Sequence, residues 1–350
     1  MRLLVTGGAG FIGSAIVDAA LRAGHAVRVL DSVRPDVHGA SPLIPPGVEF
    51  VHADVRDAHD VADALQGVDV VCHQAAKVGL GVDFSDAPDY VGSNDLGTAT
   101  LLSVMAKTSV ARLVIASSMV VYGEGAYRGV DGPCRPSPRR VQDLEAGRFD
   151  PTDEHGVALV PEFITEDAAL DPRNVYAASK LAQEHLASSW ARSTGGIAVA
   201  LRYHNVYGPG MPQNTPYAGV ASLFRSSIQR GEAPQVFEDG LQRRDFVHVR
   251  DVASANLLAL DWSAQAATAT FRAFNVGSGE VHTIGEVAAQ LARHGDAPAA
   301  VVTGNYRLGD VRHITASSAR LRDELGWTPA MTFDEGMREF ATAPLRAAVH

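Results

Sequence analysis

"VTGGAGFIGSA", residues 5–15, sets Gly7, Gly10 and Gly13 at three-residue spacing between an apolar run, "RLLVT", and an amphipathic one, "FIGSAIVDAALRA". Strand, glycine turn and helix in that order open a dinucleotide-binding βαβ unit. Small residues let the backbone turn tightly, let a pyrophosphate approach the main-chain N–H groups at the helix N-terminus, and let the helix pack close to the sheet. The trio alone is weak; its strand-turn-helix context gives it weight. Asp31 ends the next strand, "AVRVLD", at the distance where a carboxylate accepts hydrogen bonds from the adenosine ribose. It also repels a 2′-phosphate, so NAD is expected over NADP, with Arg34 nearby as the opposing feature and a loop cap as the alternative role of Asp31. Asp54 in "HADV" either holds the adenine amine or simply terminates its strand.

Outward from that turn the pattern repeats. "VEFVHADV", "AHDVADALQG", "VDVVCHQA", a helical segment near 94–107 and "ARLVIASS" alternate short apolar runs with amphipathic ones. This predicts an α/β protein with a Rossmann-like, doubly wound parallel sheet and right-handed crossovers. Residues 172–201 return a helix and a strand to that sheet, so 1–204 reads as the NAD-binding domain. From 205 to 350 the strand candidates "PQVFED", "RDFVHV" and "TFRAFNVG" mix with the helices "GVASLFRSSIQRG", "RDVASANLLALDW" and "TIGEVAAQLARHG". These form a smaller α/β substrate lobe, with some chain crossing back, and the cleft between the two is the expected ligand site. The stretch 127–171, rich in Pro, Gly, Arg and Asp, is too long for an ordinary connection and is either a functional cap or a surface insertion.

Composition narrows the partners. The chain has 350 residues, 46% of them hydrophobic, and a formal net charge of −10, enough to bury a full core and unsuited to nucleic acid as the main partner. An anionic substrate can still sit in a local arginine cluster. Cys72, inside the strand-like "VDVVCH", and Cys134 are the two cysteines, which points to a reducing compartment rather than a disulfide framework. Without a charged region leading into an apolar one, or an apolar run of about 18 residues, neither a secretory signal nor a membrane span is expected, and the location read from this is cytoplasmic. No metal ligand set is assigned.

Tyr176 and Lys180 stand four positions apart in "NVYAASKLAQEH", residues 174–185, a helical run behind the turn-forming "LDPRN". Residues i and i+4 share a helix face, so the lysine ammonium is expected to favour the phenolate and lower a pKa of about 10, making Tyr176 a general base. An ordinary solvated pair is the alternative.

Taken in order, "TGGAGFIG", "SSMVVYG", "YAASK", "LRYHNVYGPG", "RRDFVHVRDV" and "GDVRH…LGW" resemble the motifs of extended short-chain dehydrogenase/reductases acting on nucleotide sugars, over residues 1 to about 330. The resemblance implies bound NAD, a nucleoside diphosphate sugar substrate, greatest likeness to UDP-sugar 4-epimerases, and a homodimer built through a helical face. It implies a catalytic Ser118 beside Tyr176 and Lys180, with Lys180 also on the nicotinamide ribose, and further cofactor contacts at Phe11, Ile12, Val55, Ala75 and Ala76. It places Asn205 near the sugar and Arg244 and Arg312 at the diphosphate. The alternatives are a strand-end Ser118 bonding to backbone, ion pairing of Arg244 with Asp245 or Asp251, and ion pairing of Arg312 with Asp310.

Where related 4,6-dehydratases carry an Asp-Glu pair after the catalytic hydroxyl, and sugar-acid decarboxylases a Glu, this chain has Met119 and Val120, which move no protons. That leaves reversible oxidation, and so 4-epimerisation. Ile314, at the position bordering C2 in related epimerases, slightly favours a 2-hydroxyl over an acetamido group. His204 replaces the aromatic usual in the "RYFN"-type motif and either touches the sugar or packs in the core. The arginines of the insertion, Arg128, Arg135, Arg139 and Arg140, suit either a uronic acid or a surface role. Rival readings are a dehydrogenase, reductase or C2-epimerase; a lyase drawing acids from Asp150, Asp153 or Glu154; and a non-catalytic NAD-binding regulator.

Overall fold

The structure, a computed structural model, describes residues 1–38, 44–79, 84–213 and 219–346. Among these, seven strands build the central parallel sheet: β1 (Arg2–Thr6), β2 (Ala26–Asp31), β3 (Glu49–His52), β4 (Val70–His73), β5 (Arg112–Ser118), β6 (Ile197–Tyr203) and β7 (Thr270–Val276). Their order is β7-β6-β5-β4-β1-β2-β3. The order reverses between β1 and β4, which opens a crevice at the carboxyl ends of the strands, the place where open α/β sheets bind ligands. The apolar runs are continuous because both faces are covered: Leu3, Leu4 and Val5 are all fully buried.

On one face, α1 (Phe11–Arg22) buries Ile16, Val17 and Ala20 in the cluster that also holds Val252, Ala255 and Leu260. On the other, α2 (Gly97–Met105) and α3 (Val175–Thr194) bury Leu101, Ala187 and Trp190 against Leu4, Val71 and Ile115. Helix α3 starts where the Asn174 side chain accepts the Ala177 amide at 2.8 Å and stops at Gly195, whose φ of 79° is left-handed.

Two elements read from sequence as parts of the smaller lobe belong to the main sheet. "TFRAFNV" is β7, paired in parallel with β6, and "RDVASANLLALDW" lies in α4 (Val249–Ser263), which packs on α1. Periodicity identifies a strand or helix but not the sheet it joins; that choice is made by pairing far along the chain. The remaining lobe gathers Tyr207, Phe224, Leu291 and Phe340 from helices Val220–Gln229, Ile284–His294 and Phe333–Thr342 and the short strand Asn205–Tyr207.

The insertion is folded. Strand Ala126–Gly129 pairs antiparallel with Gly132–Cys134 and Val160–Glu162, and a short helix spans Val141–Glu145. It is fastened to the lobe: the Tyr127 hydroxyl accepts the His313 amide at 3.2 Å, Arg139 Nη1 meets Glu238 Oε1 at 2.7 Å, and Asp150 Oδ1 accepts from Arg312 Nε at 2.7 Å. Its arginines are thereby spent on protein partners: Arg128 pairs with Glu162, Arg140 with Asp143, and Arg135 bonds the Tyr122 and Ala169 carbonyls.

Candidate active site

The glycine turn shows why its residues are small. Gly7 has a φ of 68°, and a Cβ there would lie 2.6 Å from Ala75 N; a Cβ on Gly13 would collide with the Gly7 carbonyl. Gly10 N donates to Gly7 O at 3.0 Å, and Gly10 is the cap from which Phe11 and Ile12 begin α1, so their N–H groups face outward without helical partners. Phe11's side chain packs instead into the cluster of the smaller lobe.

Asp31 accepts the Ala9 amide at 3.0 Å and the Val33 amide at 2.9 Å, with His38 Nε2 at 3.4 Å. Burial raises its pKa, but the His38 bond and the two amides outweigh burial and hold it below the usual carboxylate value. It is therefore ionised and already oriented. Arg34, the residue that could have favoured a 2′-phosphate, is bonded in bidentate fashion to Asp89 at 2.8 and 3.0 Å. Asp54 is held by Arg56 through Nε at 2.9 Å and Nη2 at 2.7 Å, while Val55 is buried beside it.

Ala75 and Ala76 follow β4 in a turn tied by Ala75 N to Thr6 Oγ1 at 3.3 Å and by Asn94, which accepts the Lys77 amide at 2.7 Å and donates to its carbonyl at 3.0 Å. Asn94, buried and in no motif, was missed in the sequence. Unpaired helix-start amides, glycines where a Cβ would collide and an ionised Asp31 fit a dinucleotide.

Ser118 is the last residue of β5, and Tyr176 and Lys180 lie in the first turns of α3. The Ser118 hydroxyl accepts the Val120 amide at 3.4 Å, the strand-end role, and lies close enough to the Tyr176 phenol to oppose the rise of its pKa. Lys180 departs from expectation. Its Nζ donates to the Ala116 carbonyl at 3.0 Å and stands 6.0 Å from the centre of the Tyr176 ring. Burial pushes Tyr176 up to about 12, opposed by the Ser118 bond, and pushes Lys180 down to about 7, opposed by Glu184 and Asp95. Sharing a helix face is not enough: in a low-dielectric site both charged forms are disfavoured, and the ammonium is turned to a carbonyl. Removing the hydroxyl alone, in Ser118→Ala, is expected to slow turnover by about ten- to a hundred-fold, checked by steady-state kinetics, because the phenol remains.

At the far end, Asn205 and Arg244 come together: the Asn205 amide donates to Asp245 O at 3.0 Å, and strand Asn205–Tyr207 pairs with Phe246–His248. Arg244 bonds the Arg312 and Val311 carbonyls at 2.9 and 2.5 Å, while Asp245 is taken by Ser278 and Gly279 and Asp251 by Ala330 and Met331. Neither alternative ion pair of Arg244 forms.

Arg312 is a correction. It is 0% exposed and is caged by Glu238 at 2.8 Å, by Asp239 at 2.7 and 2.8 Å and by Asp150 at 2.7 Å. Its guanidinium is taken by three carboxylates, none of them Asp310. Arg307, earlier in the same stretch, is exposed over the Phe237 ring at 5.1 Å and its charge reaches Asp310, as does that of Arg244. Arg307 and Arg312 both belong to "RLGDVR", so the stretch was legible but not which of them is enclosed by carboxylates. Ile314 is 2% exposed and packed with Val121, Tyr122 and Ile164, bridged to Arg244.

Three buried polar groups remain open here. His204 is 4% exposed with neither ring nitrogen bonded, Asn205 Oδ1 has no partner, and Glu124 gives one oxygen to Arg173 at 3.0 Å and leaves the other unbonded. Burial, with Arg244, pushes His204 down to about 3, so its ring is neutral and offers one donor and one acceptor. The acids a lyase would need are engaged elsewhere or exposed: Asp150 in the Arg312 cage, Asp153 on the His155 and Val157 amides, Glu154 beside His155 in solvent.

A family model described as the NAD dependent epimerase/dehydratase family matches residues 3–277. The chain is 35% identical to a dTDP-L-rhamnose 4-epimerase of Burkholderia thailandensis, over 97% of this chain and 94% of that protein. Among solved structures it is similar to a Thermus thermophilus UDP-glucose 4-epimerase in complex with NAD, at 32% identity and a TM-score of 0.73, covering 97% of this chain and 98% of that one. It is also similar to MoeE5 in complex with UDP-glucuronic acid and NAD, at 28% identity and a TM-score of 0.76, with the same coverage.

Proposed function

The chain belongs to the NAD-dependent epimerase/dehydratase family, and from that premise we propose that it inverts C4 of a nucleoside diphosphate sugar by transient oxidation to the 4-keto sugar. The observation that carries this reading is the sequence of groups at the end of β5: Ser118 at the phenol of Tyr176, followed by a turn, Met119–Tyr122, that holds no acid. Proton transfer at oxygen is provided for, and the turn after Ser118 supplies no group for proton transfer at carbon.

Bound NAD would supply the hydride acceptor, the hydride donor on return, and the positive charge of its oxidised nicotinamide. The protein's part is acid–base and geometric. Tyr176 takes the proton from the sugar's C4 hydroxyl and gives it back after the keto sugar has turned, and Ser118 bonds the same oxygens throughout. Lys180, fixed on Ala116 O, is assigned to the nicotinamide ribose, with Asp31 on the adenosine ribose and Phe11, Ile12, Val55, Ala75 and Ala76 along the cofactor. Arg244 and Arg307 are assigned to the diphosphate, where arginine's planar fork bonds two oxygens at once, and Asn205 and Ile314 to the sugar. Binding the nucleotide away from the reacting carbon lets the sugar rotate between the two hydride transfers.

His204 and Asn205 favour a sugar hydroxyl as their partner over a carboxylate, because a neutral imidazole matches a group that both donates and accepts. His204→Phe is expected to cost about ten-fold in kcat/KM for the sugar it reads, one hydrogen bond's worth. It should also change the acid stability. The folded His204 stays neutral down to about 3, whereas the unfolded ring protonates near 6.5, so the unfolded chain binds more protons between those values and wild-type stability falls as pH drops through them. Melting curves from pH 7 to pH 4 should therefore fall less steeply for His204→Phe; an unchanged slope rejects the buried neutral histidine.

A homodimer through the outer faces of α2 and α3 is part of the same reading. The groove there is lined by Leu96, which is 55% exposed, with Ala99, Ala182 and Leu186. Leu96→Arg should give a monomer by light scattering if that face joins two copies. Among the described residues no helix is long and apolar enough to cross a membrane.

The deciding experiment is incubation of the purified protein, without added cofactor, with UDP-glucose, UDP-glucuronic acid, UDP-N-acetylglucosamine and dTDP-glucose separately, followed by NMR of the products. A C4-inverted sugar of unchanged mass establishes the reaction and the sugar. A product lighter by water or carbon dioxide overturns it.

A further inference from the structure

The end of the described chain lies on the cofactor turn. Arg346 Nη2 donates to Gly10 O at 3.0 Å and to Ser14 Oγ at 2.8 Å, and Nη1 donates to Ala9 O. The same residue is held from the other side: its amide donates to Met211 O at 3.0 Å, its carbonyl accepts the Gln213 amide at 3.1 Å, and Pro344 O accepts the Gly210 amide at 3.0 Å. Leu345 packs into the cluster that contains Phe11 and Tyr207. Arg225 anchors the stem through the Phe340 and Ala343 carbonyls at 3.1 and 3.2 Å. Residues 343–346 thus tie the glycine turn between β1 and α1 to the 208–213 loop that follows Asn205–Tyr207.

We propose that Arg346 is a positioning residue of the NAD site, fixing the peptide planes of the glycine turn so that the turn keeps its grip on the pyrophosphate. The peptide unit is planar and trans, so the direction of a carbonyl sets that of the N–H across the same bond. Holding Ala9 O orients the Gly10 amide, which closes the turn on Gly7 O, and holding Gly10 O orients the Phe11 amide, the first free donor of the helix. A guanidinium also places positive charge beside a turn that binds an anion.

The proposed reaction, on which this purpose rests, requires such a grip. Oxidation moves a hydride from C4 to the cofactor and a proton to Tyr176, and reduction reverses both. If the reduced cofactor left between the two, the 4-keto sugar would be stranded and the cycle would not close.

The test uses the full chain as wild type, Arg346→Ala and Arg346→Lys, with Arg338→Ala, an exposed residue paired with Asp334, as control. Bound NAD per protomer is measured after gel filtration, and NAD is titrated into protein stripped of cofactor. Arg346→Ala should bind NAD roughly ten-fold more weakly, the effect of a charge-assisted hydrogen bond. Arg346→Lys, which keeps the charge and loses the fork, should fall between Arg346→Ala and wild type, and Arg338→Ala should match wild type. Turnover by Arg346→Ala without added NAD should drop, and excess NAD should restore most of it. Wild-type NAD content and affinity in Arg346→Ala overturn the proposal; if that variant does not fold, wild-type affinity in Arg346→Lys overturns it. NAD binding needs no sugar, so failure here leaves the epimerase reading standing, and failure of the sugar assay leaves this one standing.

Discussion

Tyr176→Phe is expected to lower turnover by about a thousand-fold or more while leaving NAD and nucleotide-sugar binding in place, since a positioned general base contributes about 100- to 10,000-fold. The change removes one oxygen from a ring that still packs beside Tyr90, whose centre is 6.0 Å away, so the scaffold has little reason to shift. In the proposed cycle that oxygen, near Ser118, accepts the sugar's proton, and its removal stops oxidation and return alike. Single-turnover assays of bound cofactor would show no reduction on adding sugar, and calorimetry would show the sugar bound. Near-normal turnover in this variant ends the assignment of Tyr176. Since burial holds the phenol up at about 12 and Lys180 does not lower it, the wild-type phenol should titrate lower with NAD bound than without, as an ultraviolet pH titration of the two forms would show.

Arg312→Met is expected to act on stability instead. Deleting one partner of a buried ion cluster leaves carboxylates without their cation, at a cost of about 3 to 5 kcal/mol when they are fully buried. The lower end applies here. Glu238 is 3% exposed but keeps Arg139, whereas the side chains of Asp239 and Asp150 are 36% and 56% exposed and can turn to water. A loss of about 3 kcal/mol lowers the melting temperature by several degrees in a chain of this size. Arg307→Ala should show the opposite pattern, a raised KM for the nucleotide sugar with an unmoved melting temperature. If Arg312→Met instead melts like wild type and only its KM rises, Arg312 is the phosphate ligand after all and the cage is incidental.

The two arginines show where the linear pattern stops informing. Arg307 and Arg312 stand in one stretch, "RLGDVR", and residue type suits either to a phosphate. What separates them is long-range: Glu238 and Asp239 arrive from the segment after strand Gln235–Val236, and Asp150 from the insertion, to enclose one and leave the other over Phe237. The same holds for Arg34, which sequence proximity set against Asp31 and which Asp89 engages. The insertion itself looked like either a cap or a loose surface segment, because composition does not show a three-stranded sheet whose contacts lie in the other lobe.

By itself the sequence determined the features set by local chemistry: the glycine turn, since a Cβ at Gly7 or Gly13 would collide with neighbouring backbone; the βαβ rhythm and hence the parallel sheet; and the placing of Ser118 at a strand end and of Tyr176 and Lys180 on one helix. Tertiary structure alone decided which sheet β7 joins, which arginine is caged, that Lys180 faces Ala116 rather than lowering Tyr176, and that Arg346 returns to a turn 336 residues earlier. The division has one cause. Turn geometry and helix faces depend on neighbours a few residues apart, whereas burial, ion pairing and pKa depend on groups brought together only when the chain is folded.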